Sequence, residues 1–419
     1  MVQRRRVAAS SDALIDSAAV GTGGSLPRER SEGSLPVSDR VAVVGVGHAG
    51  FAPITAGVSY KELTFEAAQR AYADAGVDPR TQVDSFVTVA EDFLEGTSIF
   101  DEYTPDQVGA AMRPMHTITG DGLHGLATAV MLILSGVAEV VALEGHSKVS
   151  DVLTLDRIID FAQDPVLNRP LGIHLSYVAG LEMRRWMEET ATTEEQVARV
   201  AVKNRRHALA NPSAAYPATT SVSQVLSSAP IATPLVAAEV AGRADGALVL
   251  VLASERAARR LSETPVWVTG VGWSQDAPSL ESREWGEARY LRLAGERAYA
   301  MAGIRSPRRS ISLAEVNDTY AYKELQHLEA LKLARPGEAG VLTEEGATEH
   351  GGDLPVNVSG GALGRGNLFE AGGLAQAMEC VLQLRGEAGE RQVKGASTAI
   401  AASWRGVPTS TGAVAIFAA

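Results

Sequence analysis

Cysteine occurs once in 419 residues, at Cys380, which excludes a disulfide framework and any zinc site built on thiolates. Aromatic residues make up only 5% of the chain. No uninterrupted apolar run approaches the roughly 20 residues that cross a bilayer. The longest apolar stretch, 127–142, is broken by Ser135, Gly136 and Glu139 and reads as helix, turn and strand. Basic residues are outnumbered, with Lys+Arg 38 against Asp+Glu 50 and a net charge of −12, so non-specific attraction to phosphate backbones is disfavoured. What remains, 45% hydrophobic and 21% charged, is ordinary globular composition. The length allows two or three domains or one large duplicated one. A soluble, cytoplasmic protein is expected.

Residues 1–38 differ from the rest, with Arg4-Arg5-Arg6, abundant Ser, Gly and Pro, and no apolar period. No apolar h-region follows the arginines, and Asp12 and Asp16 count against a transit peptide, so a disordered tail is expected. Order begins at Arg40-Val-Ala-Val-Val-Gly-Val-Gly-His48, a buried-strand pattern ending in glycines. An Ala-rich helix from Phe65, ending at Gly76, and a strand near 84–89 follow. The same order recurs. Val266-Trp-Val-Thr-Gly-Val-Gly272 repeats the opening strand, with Gly45 matching Gly270 and Gly47 matching Gly272. Arg297-Ala-Tyr-Ala-Met-Ala-Gly-Ile304 repeats Arg70-Ala-Tyr-Ala-Asp-Ala-Gly-Val77 at six of eight positions. The offsets, 225 and 227, are nearly equal, so the chain is read as an internal duplication of two α/β halves. The expected division is 39–263 and 264–419, with a helical and loop insertion at about 145–225. Within it, 177–208 reads as helical, with Thr192-Thr-Glu-Glu195 as an N-terminal cap, and is broken by Asn211-Pro. Gly45-x-Gly47 is not a dinucleotide fingerprint, because the third glycine would fall on Gly50, just before Phe51-Ala-Pro.

With this organisation, residues 40–419 resemble the thiolase superfamily, in its sterol-carrier-protein or lipid-transfer branch. The resemblance rests on the ordered series Glu195-Gln-Val-Ala-Arg-Val-Ala-Val-Lys-Asn-Arg-Arg-His-Ala208, Asn211-Pro, Leu226-Ser-Ser, Asp245-Gly-Ala, Glu315-Val-Asn-Asp-Thr-Tyr320, Gly360-Gly-Ala-Leu-Gly-Arg-Gly366 and Gln383-Leu-Arg-Gly-Glu-Ala-Gly-Glu-Arg-Gln392. It implies an α/β thiolase fold, in which two pseudo-duplicated halves form a five-layered αβαβα core, and a homodimer.

Thiolase chemistry needs a thiolate that carries the acyl group and a His/Cys pair that moves protons. The family's nucleophile turn corresponds to His116-Thr-Ile-Thr-Gly-Asp-Gly122 here. Taking Gly122 as the turn glycine puts the nucleophile position on Thr119, and a one-residue slip puts it on Gly120. Cys380 lies mid-helix and reads as a small buried side chain. The family's Gly-His-Pro reads Gly366-Asn367-Leu368, so a titrating base has become an amide. The Asn-Glu-Ala-Phe or His-Asp-Cys-Phe motif reads Asn317-Asp-Thr-Tyr320, and the last loop, 404–413, lacks the shuttling thiol. A threonine hydroxyl without a base is a poor nucleophile. Asn317, Asn367 and the glycine-rich backbone near Gly361 and Gly412 remain as hydrogen-bond donors suited to an enolate or oxyanion.

The resemblance extends to steroid side-chain aldol lyases, which keep the fold without thiolase chemistry and use tyrosines as acid and base. Tyr320 is then the candidate acid/base, with Asp318 either a second base or a turn residue. A second tyrosine expected near 361–366 is absent, and Arg365 stands there. His116 and His124 flank the lost nucleophile and are candidate replacement bases. The other six histidines, His327 among them, show no metal-type spacing, and no metal site is expected. Lys203, Arg205 and Arg206 are candidates for the phosphates of CoA, which enters as part of the substrate; no covalently bound cofactor is expected. The branch also implies a heteromer with an OB-fold, zinc-ribbon partner of the DUF35 type. Two functions stay open, a C–C lyase or condensing enzyme without a cysteine and a non-catalytic acyl-CoA-binding subunit. A pore with Tyr320 and a histidine facing Asn317 favours the first; filling by Leu123, Leu368 and Phe369 favours the second.

Overall fold

The structure, a computed structural model, describes residues 40–90, 99–152, 163–277, 279–406 and 410–419. The arginine-rich segment 1–38 lies outside the described residues.

The first copy begins with strand β1 (Val41–Ala52), and helix α1 (Tyr60–Ala75) lies across it. Ser59 and Glu62 cap the start of α1 reciprocally, and Gly76 ends it at φ 63°. Gly45 and Gly47 are required by close approach, because a Cβ at Gly45 would lie 2.5 Å from the Ala71 carbonyl oxygen. Strands β2 (Ser85–Ala90) and β3 (Met115–Thr119), helix α2 (Gly122–Leu134) and strand β4 (Val140–Ser147) follow. The apolar run at 127–142 is therefore helix, turn and strand, as its interruptions imply.

The helical stretch 177–208 is two helices, α3 (Leu175–Thr190) and α4 (Glu194–His207), and the N-terminal cap expected at 192–195 starts the second. Ala191 turns into the left-handed region at φ 56°, and Thr193 and Gln196 form a fresh capping box. The local cap outweighs the helical composition on either side. A small ribbon, β5 (Pro230–Ala232) and β6 (Leu235–Val236), leads to strand β7 (Asp245–Ser254).

The second copy runs through β8 (Val266–Gln275), α5 (Arg289–Ala302), β9 (Leu313–Val316), α6 (Ala321–Ala330), α7 (Gly361–Arg365), α8 (Gly372–Arg385), β10 (Thr398–Arg405) and β11 (Thr411–Ala418). Its glycines do the same work as those of the first, since a Cβ on Gly270 or Gly272 would strike the Ala298 or Ala294 carbonyl of α5. Nine strands of the described residues form one sheet in the order β3-β2-β4-β7-β1-β8-β11-β10-β9. In each copy the first strand pairs antiparallel with the last, and the second pairs parallel with the fourth. The second copy's third strand is reduced to a parallel bridge between Ala314 and Val356. The copies meet where Val41, Ala42 and Val43 pair with Val268, Trp267 and Val266.

Layering follows from burial. Leu123, Leu126 and Val130 of α2 and Leu374, Ala375 and Met378 of α8 share one core with inward side chains of both half-sheets, including Val43, Leu250, Ala415 and Phe417. Helix α1 covers the outer face of the first half-sheet, and α5 with α6 covers that of the second. The result is αβαβα, with α2 and α8 as the buried middle layer. No helix of the described residues is long and apolar enough to cross a membrane.

Candidate active site

Helices α2 and α8 begin side by side, and one carboxylate ties their first turns together. Asp121 is the N-cap of α2, with Oδ1 accepting the Leu123 N–H at 2.9 Å and Oδ2 accepting the Gly373 N–H at 3.0 Å. The fit is tight, since a Cβ on Gly373 would strike Asp121 and one on Gly122 would lie 2.5 Å from Leu374 Cγ. Burial pushes the Asp121 carboxyl up to about 6 against these hydrogen bonds. The Ser403 hydroxyl makes no hydrogen bond of ordinary geometry among the described residues, yet it is close enough to help hold the Asp121 charge.

His124 completes the cap. Its Nδ1 accepts the Asp121 N–H at 3.3 Å, so the neutral ring carries its proton on Nε2. Nε2 is buried with no partner among the described residues, and burial lowers the imidazole to about 4. The arrangement presents a fixed N–H donor at neutral pH. Thr119 and His116 lie on β3 instead, both exposed, outside this buried cradle.

Across the middle layer, β9 delivers Asn317, whose backbone N–H bonds to Ala402 of β10 and whose Oδ1 accepts the Thr319 N–H at 3.0 Å. Tyr320 is buried at the start of α6, 6.1 Å between ring centroids from both Tyr322 and Trp404. His327, seven residues on along α6, donates from Nδ1 to the Asn317 carbonyl at 3.0 Å and so accepts at Nε2, 3.3 Å from the Tyr290 hydroxyl. The Lys323 ammonium then donates to Tyr290 at 3.1 Å, to Glu182 at 2.6 Å and to Gln326 at 2.8 Å, 4.3 Å above the Trp404 ring. Burial lowers Lys323 to about 8, and burial followed by the Lys323 charge pushes His327 well down. Both Tyr290 and Tyr322 are pushed up by burial and stay phenols. This directed line of donors fixes the Asn317 peptide beside Tyr320. The reading of the sequence passed over His327 and Lys323, although Tyr320, Lys323 and His327 stand at the i, i+3, i+7 spacing that puts side chains on one helix face.

Other candidates serve the framework. Asp318 is buried, with its carboxylate accepting the Ala362 N–H at 2.5 Å, the Leu363 N–H at 3.2 Å and the Asn204 amide at 2.8 Å. It anchors the start of α7, and Gly361 (φ 58°) leaves it room. Burial and the neighbouring Glu324 charge raise it to about 6. Arg365 points inward at 3% exposure, bonded to Ser359 at 3.1 Å and paired with Glu315 at 3.9 Å. Asn367 bridges to Arg243 and accepts the Phe369 N–H at 3.0 Å, which shapes the turn into α8. Gly412 lies in β11 opposite Trp404, where an added Cβ would meet Tyr290 and Leu291 at 2.9 Å. Lys203 is buried against Glu324 at 2.8 Å, and Arg206 pairs with Glu349, which leaves half-buried Arg205 as the one member of that trio without a close ion pair among the described residues, although the Asp318 charge acts on it. Cys380 is fully buried within α8, its thiol pushed well up by burial.

Comparison with known proteins now has a site to refer to. Residues 272–419 match the family model described as thiolase C-terminal domain-like. A Methanothermobacter thermautotrophicus protein described as acetyl-CoA acetyltransferase is 32% identical over 364 residues, 85% of this chain and 94% of its own. The chain belongs to the thiolase superfamily. Its sterol-carrier-protein character is seen in Bos taurus sterol carrier protein 2, 30% identical over 390 residues, 87% of this chain and 70% of that one. A solved structure described as an Ltp2-ChsH2(DUF35) aldolase superimposes with TM-score 0.78 at 26% identity, over 92% of this chain and 99% of its own. Human mitochondrial 3-ketoacyl-CoA thiolase, at 19% identity and TM-score 0.70, shares the fold. In this thiolase-fold chain the buried middle helices thus begin at a carboxylate and a donor imidazole, with Thr119 outside them.

Proposed function

We propose that this thiolase-fold protein acts without a covalent intermediate on a CoA- or carrier-bound acyl thioester, cleaving or forming a C–C bond by aldol chemistry together with an OB-fold, DUF35-type partner. One observation carries the reading: the single thiol of the chain is locked inside α8, while His327 is bonded to the Asn317 carbonyl and the Tyr320 and His327 rings both lie against Trp404. The likeness to the Ltp2-ChsH2(DUF35) aldolase supports both the reaction class and the partner.

In the cleavage direction, a base takes the proton of the β-hydroxyl and the Cα–Cβ bond breaks. A ketone or aldehyde leaves, and the electron pair moves to the thioester oxygen as an enolate. Protonation at Cα then releases the shortened acyl thioester. Tyr320 is the residue assigned to proton transfer. Donors such as His124 Nε2 and the Asn317 amide stabilise the developing oxyanion, the kind of fixed dipole that lowers a barrier most in a dry site. Arg205 is the cation left for a CoA phosphate.

The test is incubation of the chain, co-purified with its DUF35-type partner, with β-hydroxyacyl-CoA substrates. Release of a carbonyl product, lost in Tyr320→Phe with substrate binding retained, supports the lyase. Thiolysis of a 3-ketoacyl-CoA by free CoA would refute the non-covalent mechanism. A second reading, a non-catalytic acyl-CoA-binding subunit, is favoured by Leu123 and Leu368, which fill the shared core at 1% exposure each. It predicts CoA binding without turnover whether or not the partner is present.

A further inference from the structure

A cleft of about 890 Å³ lies on the far side of the second copy, between the end of α3, the start of α5, the last turn of α6 and the 332–338 segment. Ala330, Ala334, Pro336 and Leu342 give it apolar surface, with Trp186 and Leu333 buried beneath them. Gln326 also lines the cleft, at 2% exposure. Its Oε1 is taken by the Lys323 ammonium at 2.8 Å, which fixes the orientation of the amide and turns Nε2 away from Lys323. That Nε2 is buried and has no hydrogen-bond partner among the described residues. A buried donor left open is costly unless a group from outside completes it.

The charged rim is not neutral in effect, although acids and bases alternate around it. Glu189 pairs with Arg185 at 2.7 Å, and Glu287 pairs with Arg292. Glu338 accepts the Arg335 backbone N–H at 2.9 Å. Glu329 accepts the Trp186 indole N–H at 3.2 Å and the Gly337 N–H at 2.8 Å, and burial raises its carboxyl toward the neutral form. Each acid on the rim thus has an internal donor. The guanidinium of Arg335 has none, and that of Arg308 reaches only the Asp353 carbonyl at 3.4 Å; neither has a carboxylate partner among the described residues.

We propose that this cleft binds a small amphiphilic carboxylate, with its apolar body on Pro336 and Leu342, its anionic head at Arg308 and Arg335, and a polar atom accepting from Gln326 Nε2. The site is separate from the acyl cradle. It is joined to it by hydrogen bonds that run from Gln326 through Lys323, Tyr290 and His327 to the Asn317 carbonyl, so an occupant of the cleft sets one end of the line that fixes Asn317.

Octanoate is the probe, titrated calorimetrically into the full chain with desulfo-CoA present in excess to occupy the acyl site. One octanoate per chain is expected to bind at millimolar concentration or below, and octylammonium at least fivefold more weakly. The exposed-rim variant Arg308→Glu/Arg335→Glu is expected to lose at least fivefold in octanoate affinity with an unchanged melting temperature. Gln326→Leu is expected to weaken octanoate as well, and because it disturbs Lys323 its folding is checked by melting. A smaller loss in the arginine variant, equal binding of octylammonium, or no saturation below 10 mM would overturn the proposal, whatever becomes of the aldol reading.

Discussion

Replacing Asp121 by Asn separates two opposing effects on one buried group. The carboxylate accepts two backbone N–H groups, from Leu123 and Gly373, and an amide accepts on only one of its two ends. The orphaned N–H costs about 1–3 kcal/mol at any pH. Burial, however, raises the carboxyl from 3.8 to about 6, so ionising it inside the protein is itself unfavourable. Between those values the native state holds a proton that the unfolded chain has released. Its contribution to stability is complete below pH 3.8 and is lost as the pH rises through 6, about 3 kcal/mol in all. Between pH 5 and pH 8 the loss from this group is between about 1 and 2 kcal/mol. The Asn variant lacks that dependence. The stability gap between native protein and Asp121→Asn is therefore expected to narrow by that amount from pH 5 to pH 8, because all other titrations are common to both proteins. Urea unfolding of both at the two values measures it. A gap that stays constant, or widens with rising pH, would refute the assignment of burial as the dominant influence on Asp121.

Three further outcomes are expected. Lys323→Met should destabilise by about 3–5 kcal/mol in urea unfolding, because it strands the Glu182 carboxylate at 2% side-chain exposure, and Glu182→Leu in the same chain should recover much of the loss; no recovery would mean that Lys323 acts through other contacts. Gly270→Ala and Gly45→Ala should each lower the melting temperature markedly, with overpacking costs of about 1–3 kcal/mol or more, since the added methyl meets a helix carbonyl in both copies; a neutral result at either would break their equivalence. Native protein should resist a thiol reagent such as DTNB until unfolded, and Cys380→Ala should keep full β-hydroxyacyl-CoA turnover; prompt labelling would place the thiol elsewhere.

The duplication could be read from the sequence because its signal is local. Gly45-x-Gly47 and Gly270-x-Gly272 are spaced by the strand period, and each presses on an Ala-rich helix less than 30 residues away. The start of α2 was not legible: Asp121-Gly-Leu-His124 has the spacing of a capping box, but with histidine in the acceptor's place, and a histidine there reads as a base before it reads as a cap. Nor were side chains whose partners are distant. Arg365 stands where a second site tyrosine was expected, yet Glu315, fifty residues earlier, draws it inside. Lys203 reads as a candidate for the CoA phosphates until Glu324 and the Val356 carbonyl surround it. Lys323 gave no sign of its role because its partners, Glu182 and Tyr290, come from an inserted helix and the start of α5. Ionic residues carry no mark of burial in a sequence; only the tertiary partner reveals it.

The bond between Asp121 and Gly373 spans the two repeats, and that bears on how such a protein could be divided. Neither repeat owns the whole junction: one brings the acceptor, the other the amide it needs, and the apolar middle helix of each packs against strands of both. A severed first repeat would therefore start its inner helix with one oxygen unanswered and half its greasy face bare. Prising the repeats apart would undo the candidate site at Asp121 and the cohesion of the molecule in a single event.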